Sequence, residues 1–88
     1  MNLLDAYKTV SAADWSGKGV QATLTTGETA LLDDPGTGAW PRLVWVEVLR
    51  PSQDEGGARG YVTLSTEAEF LAGVERLRGE LHAGLWDD

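Results

Sequence analysis

Eighty-eight residues with fourteen acids against seven bases, a net charge of −7 and no cysteine bound this chain before any motif is read. A chain this short makes one domain with one core and no separate substrate lobe. It can hold neither a disulfide framework nor a thiolate site or nucleophile, and its acidity repels nucleic-acid phosphates and anionic membranes.

The longest apolar runs fall far short of the ~20 residues that span a bilayer. Met1-Asn2-Leu3-Leu4-Asp5 has no basic n-region and no sustained apolar stretch, so no secretory signal is read there and a cytoplasmic protein is expected. Isoleucine is absent and asparagine and lysine are scarce beside abundant Ala, Gly, Leu and Arg, the bias of GC-rich coding. A GC-rich bacterium or its phage is the expected source.

In chain order, Asn2 can cap a helix, with Asp5 near the positive end of its dipole. Leu3, Tyr7 and Val10 then repeat at i, i+4 and i+7, predicting a short amphipathic helix that must dock on something to be stable. Ser11–Asp14 reads as its last turn or a bend, and Ser16-Gly17-Lys18-Gly19 ends the element. Val20–Thr25 alternates: Val20, Ala22 and Leu24 share one face, Gln21, Thr23 and Thr25 the other, as in a half-buried antiparallel strand. Thr26-Gly27 is read as a two-residue hairpin centre, with a weaker strand over 28–32 beyond it. Asp33 to Pro41 is loop by composition, and Pro41 holds Trp40 extended.

The most strand-like segment follows. Val44, Val46 and Val48 line one face at period two, while Leu43, Trp45 and Leu49 line the other, interrupted by Glu47. Such a strand is either covered on both sides or leaves an apolar face bare. Pro51–Ala58 is a polar turn around Asp54-Glu55-Gly56-Gly57, and Arg59–Leu64 is the hairpin partner. Thr66-Glu67-Ala68-Glu69 is a capping box before Phe70, Val74, Leu77 and Leu81, which repeat at i, i+4, i+7 and i+11 with Leu71 beside them. Gly73, at the stripe's edge, lets the helix approach the sheet; Gly79 points outward, and Gly84 is the stop signal. The expected fold is α+β in the order α-β-β-β-β-α: an antiparallel four-stranded meander packed by the C-terminal helix and a shorter N-terminal one.

Catalytic chemistry finds little support. His82, the only histidine, is read as a favourable charge at a helix C-terminus, away from the stripe. Asp33–Gly38 lacks the alternating oxygens and bidentate Glu of a calcium loop. In a meander, Asp33/Asp34 and Asp54/Glu55 sit at opposite ends of the long strand and cannot share an ion. Neither Gly17-Lys18-Gly19 nor Gly36-Thr37-Gly38 opens a helix with P-loop spacing. No enzyme, cofactor or metal site is expected.

Trp45-Val46-Glu47-Val48 with Ala58-Arg59-Gly60-Tyr61-Val62 resembles the W-x-x-V…G-x-x-G-Y-V hairpin of SH3-like barrels. The resemblance covers that hairpin alone. The predicted helix after it stands where the barrel's closing strand runs, so no ligand-binding residues are carried over.

Four tryptophans are many for this length. Trp15 and Trp45 are first read as core. Trp40 on its Gly/Pro loop and Trp86 in the Leu85–Asp88 tail are candidate partner anchors, joined by Trp45 if its face stays bare. Asp33, Asp34, Asp54 and Glu55 are candidate contacts to a basic partner surface. The expected function is a small acidic binding or regulatory protein acting through protein–protein contacts, with a protein partner or a second copy of itself and no nucleic acid or membrane. The alternative is an acidic inhibitor of a nucleic-acid-handling protein, of the kind phage and mobile elements encode, in which carboxylates imitate nucleic-acid charge.

Overall fold

The long valine strand, residues Leu43–Leu49, is β3 of a four-stranded antiparallel sheet in which every neighbour in sequence is a neighbour in space. The computed structural model describes residues 1–86; Asp87 and Asp88, at the end of the tail, lie outside the described residues. The remaining elements are α1 (Leu3–Ser11), β1 (Val20–Thr23), β2 (Thr29–Asp33), β4 (Ala58–Thr63) and α2 (Glu67–His82), so the α-β-β-β-β-α meander is the fold. The Trp45–Val62 hairpin is real, but it lies in this open meander, with α2 following it.

Register explains where the core lies. Ala22 pairs with Ala30, Ala30 with Val48, and Val48 with Ala58; Val20, Leu32, Val46 and Gly60 form the parallel row. Side chains alternate across a pleat, so these rows put the valine face of β3 and the apolar face of β1 on the same side. Both helices pack there. Ala6 and Val10 of α1 and Phe70, Val74, Leu77 and Leu81 of α2 are buried in one cluster with Val44, Val46 and Val48. The Tyr7 and Phe70 rings meet at 5.3 Å, joining the helices over the sheet. Burying the four α2 side chains contributes roughly 6–12 kcal/mol before conformational entropy is subtracted.

The helix ends follow the sequence signals. Asn2 Oδ1 accepts from the Asp5 N–H at 2.8 Å, and Thr66 Oγ1 from the Glu69 N–H at 3.1 Å. Gly84, at φ 75°, closes α2: its N–H donates to Leu81 O, and the Leu85 N–H to Glu80 O, the paired bonds of a Schellman cap. Gly73 packs directly on Val62, and a Cβ there would lie 2.6 Å from Val62 Cγ1.

The first hairpin differs from expectation. Leu24 and Glu28 face each other, with the Leu24 N–H donating to Glu28 O at 2.9 Å, so the loop holds Thr25, Thr26 and Gly27 rather than two residues. Gly27 at φ 101° supplies the left-handed position that a three-residue loop requires. Regular strand pairing in β2 therefore begins at Thr29 and extends to Asp33.

Candidate functional site

Because α1 and α2 share the valine side, no helix among the described residues lies over the other side of the sheet. Two cross-strand rows define it: Gln21, Leu31, Glu47, Arg59 and, beside it, Asp33, Trp45, Tyr61. The Trp45 and Tyr61 rings meet edge to face at 5.0 Å in the middle of β3 and β4. Tyr61 is 46% exposed, and Leu31, Leu43 and Trp45 are half-buried. Leu49 is the exception on this face: it is buried, and the Gly57 backbone of the β3–β4 loop lies against it. A shallow depression of about 360 Å³, lined by Ala39, Arg42, Leu43, Thr63 and Ser65, continues the surface past Leu43.

The rim is charged. Arg59 Nη1 lies 3.7 Å from Glu47 Oε2, and the same guanidinium lies 5.4 Å from the Trp86 ring. Trp86 is itself held by its Nε1–H, which donates to Glu80 Oε1 at 3.0 Å. The Schellman cap turns the tail back along α2, which brings Trp86 to the β4 side of the molecule. Asp33 stands beside Trp45 at the end of β2.

Of the other sequence candidates, Asp34 Oδ1 accepts from the Gly36 N–H at 2.8 Å and shapes its own loop. Asp54 and Glu55 are exposed in the β3–β4 loop, at the opposite end of β3 from Asp33. Trp40 is turned inward: its Nε1–H donates to Val10 O at 2.7 Å, and its ring packs on Trp15 at 5.8 Å. It caps the last turn of α1, on the helix side of the sheet. The structure thus places Trp45 and Asp33 on the uncovered face, packs Trp86 against the core side where it meets that face only through Arg59, and places Trp40, Asp34, Asp54 and Glu55 elsewhere.

Sequence reasoning missed a second cluster. Glu28, only 2% exposed, lies between the first hairpin and the end of α2. Its carboxylate accepts from Thr26 Oγ1 and from His82 Nε2 at 2.5 Å, with Arg78 Nη1 at 3.7 Å. A carboxylate only accepts, so His82 Nε2 carries a proton in this contact. Burial alone would raise the Glu28 carboxyl. Hydrogen bonds from Thr26, His82 and its own backbone, with the His82 charge, outweigh burial and hold it at about 2, below the ordinary 4.5. Arg78 also forks onto Glu75, which lowers the Glu75 carboxyl and raises the guanidinium. The signal was present in the pattern. Glu28 shares the parity of Ala30 and Leu32, so a carboxylate there points into the core side and requires a partner. The only histidine, 54 residues away, supplies it.

Glu75 and Arg78 also line a cleft of about 250 Å³ with Leu3, Leu24, Leu71 and Val74. The Glu28–His82 pair chemically clasps the β1–β2 hairpin to α2. Among the described residues no group of three or more His, Asp or Glu side chains could hold a metal ion, and no helix is long and apolar enough to cross a membrane. Comparison with protein-family models, with curated proteins and with solved structures finds no match to this chain.

Proposed function

We propose that this chain is a non-enzymatic binding module, working in the cytoplasm, that docks on a protein partner through the open face of its sheet. One observation carries the reading: the Trp45–Tyr61 ring pair stands uncovered at the centre of a face flanked by Leu31 and Leu43. Large aromatic side chains bring contact area at little entropic cost and dominate interface energies when a partner excludes water around them. Asp33, exposed beside Trp45 at the end of β2, favours a partner whose apolar patch is bordered by a basic group.

The test is capture from the native host with wild-type and Trp45→Ser baits, using Trp40→Phe, altered on the helix side, as a control. Loss of an anchor costs about 2 kcal/mol or more, roughly thirtyfold in affinity. A partner held by wild type and Trp40→Phe but lost with Trp45→Ser supports the assignment; equal capture by all three refutes it. Salt separates this reading from nucleic-acid mimicry. Docking on an apolar face changes little with added salt, whereas carboxylates imitating phosphates lose affinity steeply.

A further inference from the structure

The two edges of the sheet are not equivalent. At the β1 edge the Thr23 N–H already donates to the Met1 carbonyl at 2.9 Å, so the N-terminal segment closes part of that ladder. At the β4 edge the Leu64 N–H bonds to Arg42 O at 2.9 Å. Hydrogen-bonded pairs in an antiparallel ladder alternate, so Val62, Gly60 and Ala58 face β3. The N–H and C=O groups of Arg59, Tyr61 and Thr63 then point away from the sheet. Among the described residues no backbone group pairs with them. Ala58–Thr63 carries no proline, no lysine and no bulge in its pairing with β3, and its one charged residue, Arg59, is drawn onto Glu47 and the Trp86 ring.

We propose that β4 pairs antiparallel with β4 of a second copy of this chain, about a two-fold axis through Tyr61, forming one continuous sheet. This goes beyond the docking reading and stands without it. The sequence of the edge is self-complementary in that register. Tyr61 meets Tyr61, Arg59 falls opposite Thr63, and Gly60 lies opposite Val62, small against large, with no like charges face to face. The pairing engages every outward backbone group of the three residues. It also joins the two open faces on one side, so that Trp45, Tyr61 and their two-fold mates form a single aromatic row.

The helix side fits the same axis. α2 packs over β3 and β4, with Gly73 against Val62 and Leu77 above Gly60, so the two α2 helices run antiparallel beside the seam. The flank they turn to each other carries Gly73, Arg76 and Glu80. Arg76 Nε lies 3.8 Å from Glu80 Oε2 within one copy, and an Arg/Glu pair is matched by its own antiparallel image. Trp86, seated on Glu80 and under Arg59, stands at the end of this edge, where it extends the contact.

The experiment is light scattering on a micromolar concentration series of the full chain, at high salt so that repulsion between two −7 chains is screened. It is run with wild type and Tyr61→Lys, beside backbone amide exchange on the wild type. A lysine at an exposed edge position is compatible with the fold, which circular dichroism checks, and sets like charges on the axis. A dimer in which the Arg59, Tyr61 and Thr63 amides gain protection with concentration, and whose dissociation constant rises about a hundredfold or more in Tyr61→Lys, supports the pairing. A wild type that stays monomeric overturns it, and so does a dimer whose three amides exchange as freely as in dilute solution, the result expected if two open faces stack. Partner capture that still depends on Trp45 in a monomeric chain leaves the docking reading intact while removing this one.

Discussion

Replacing Glu28 by glutamine keeps the size and one acceptor but removes the charge that Thr26, His82 and Arg78 surround. The folded carboxyl stands at about 2 against an ordinary 4.5, so the sign is fixed. A depressed carboxyl contributes stability that is fully present above about 4.5 and is lost as pH falls from there through about 2. The depression corresponds to roughly 3 kcal/mol at 1.36 kcal/mol per unit. The His82 side chain is 49% exposed, and screening there lowers the expected loss in Glu28→Gln to about 2 kcal/mol near neutral pH. For a protein of this size that moves a urea midpoint by about 2 M, readily followed by the fluorescence of four tryptophans. The informative quantity is the difference between wild type and variant, because the other carboxylates titrate in both. That difference should shrink steadily below pH 4.5 and approach zero near pH 2. A gap that is negligible at pH 7, or that persists unchanged at pH 3, refutes the charge-based account.

Two glycines of α2 should respond with opposite signs. Gly79→Ala meets open space and should stabilise by up to about 1 kcal/mol, whereas Gly73→Ala drives a methyl into Val62 and should cost about 1–2 kcal/mol net of the helix gain, both read from urea midpoints. Adding Val62→Ala to Gly73→Ala should cost less than the two changes summed, since the smaller side chain relieves the overlap. Trp40→Phe keeps most of the ring but deletes the donor to Val10 O, and should destabilise by about 1 kcal/mol without altering the β4 edge, as thermal melting and light scattering together will show.

Local signals were strong where one element satisfies itself. The β3 valines, the α2 stripe and both helix caps can be read from a handful of adjacent residues, and each is found where the pattern puts it. The side of the sheet taken by α1 was not legible from the helix itself. Leu3, Tyr7 and Val10 suit either face of β3 equally. The choice is made by β1, whose only apolar face is Val20, Ala22 and Leu24, and by the register that carries this face across β2 to the valines. A three-residue loop in place of a two-residue one sets that register, and composition alone did not distinguish the loops. Trp40 was ambiguous for a related reason: a Gly/Pro loop says nothing about what lies beneath it, and its target, the Val10 carbonyl, belongs to an element 30 residues earlier.

Packing both helices on one side gives β3 two separate sets of physical constraints, interleaved residue by residue. Val44, Val46 and Val48 answer to the interior, and any change there is judged by folding. Trp45 and Glu47 between them lie outside the interior, against Tyr61 and Arg59 on the open face. Substitutions at those alternate positions, with Leu31, Arg59 and Tyr61 beside them, can therefore change the chemistry of this surface while the scaffold stays constant. The same feature makes the face a practical place to randomise, since a library confined to those positions leaves the buried rows of the fold untouched.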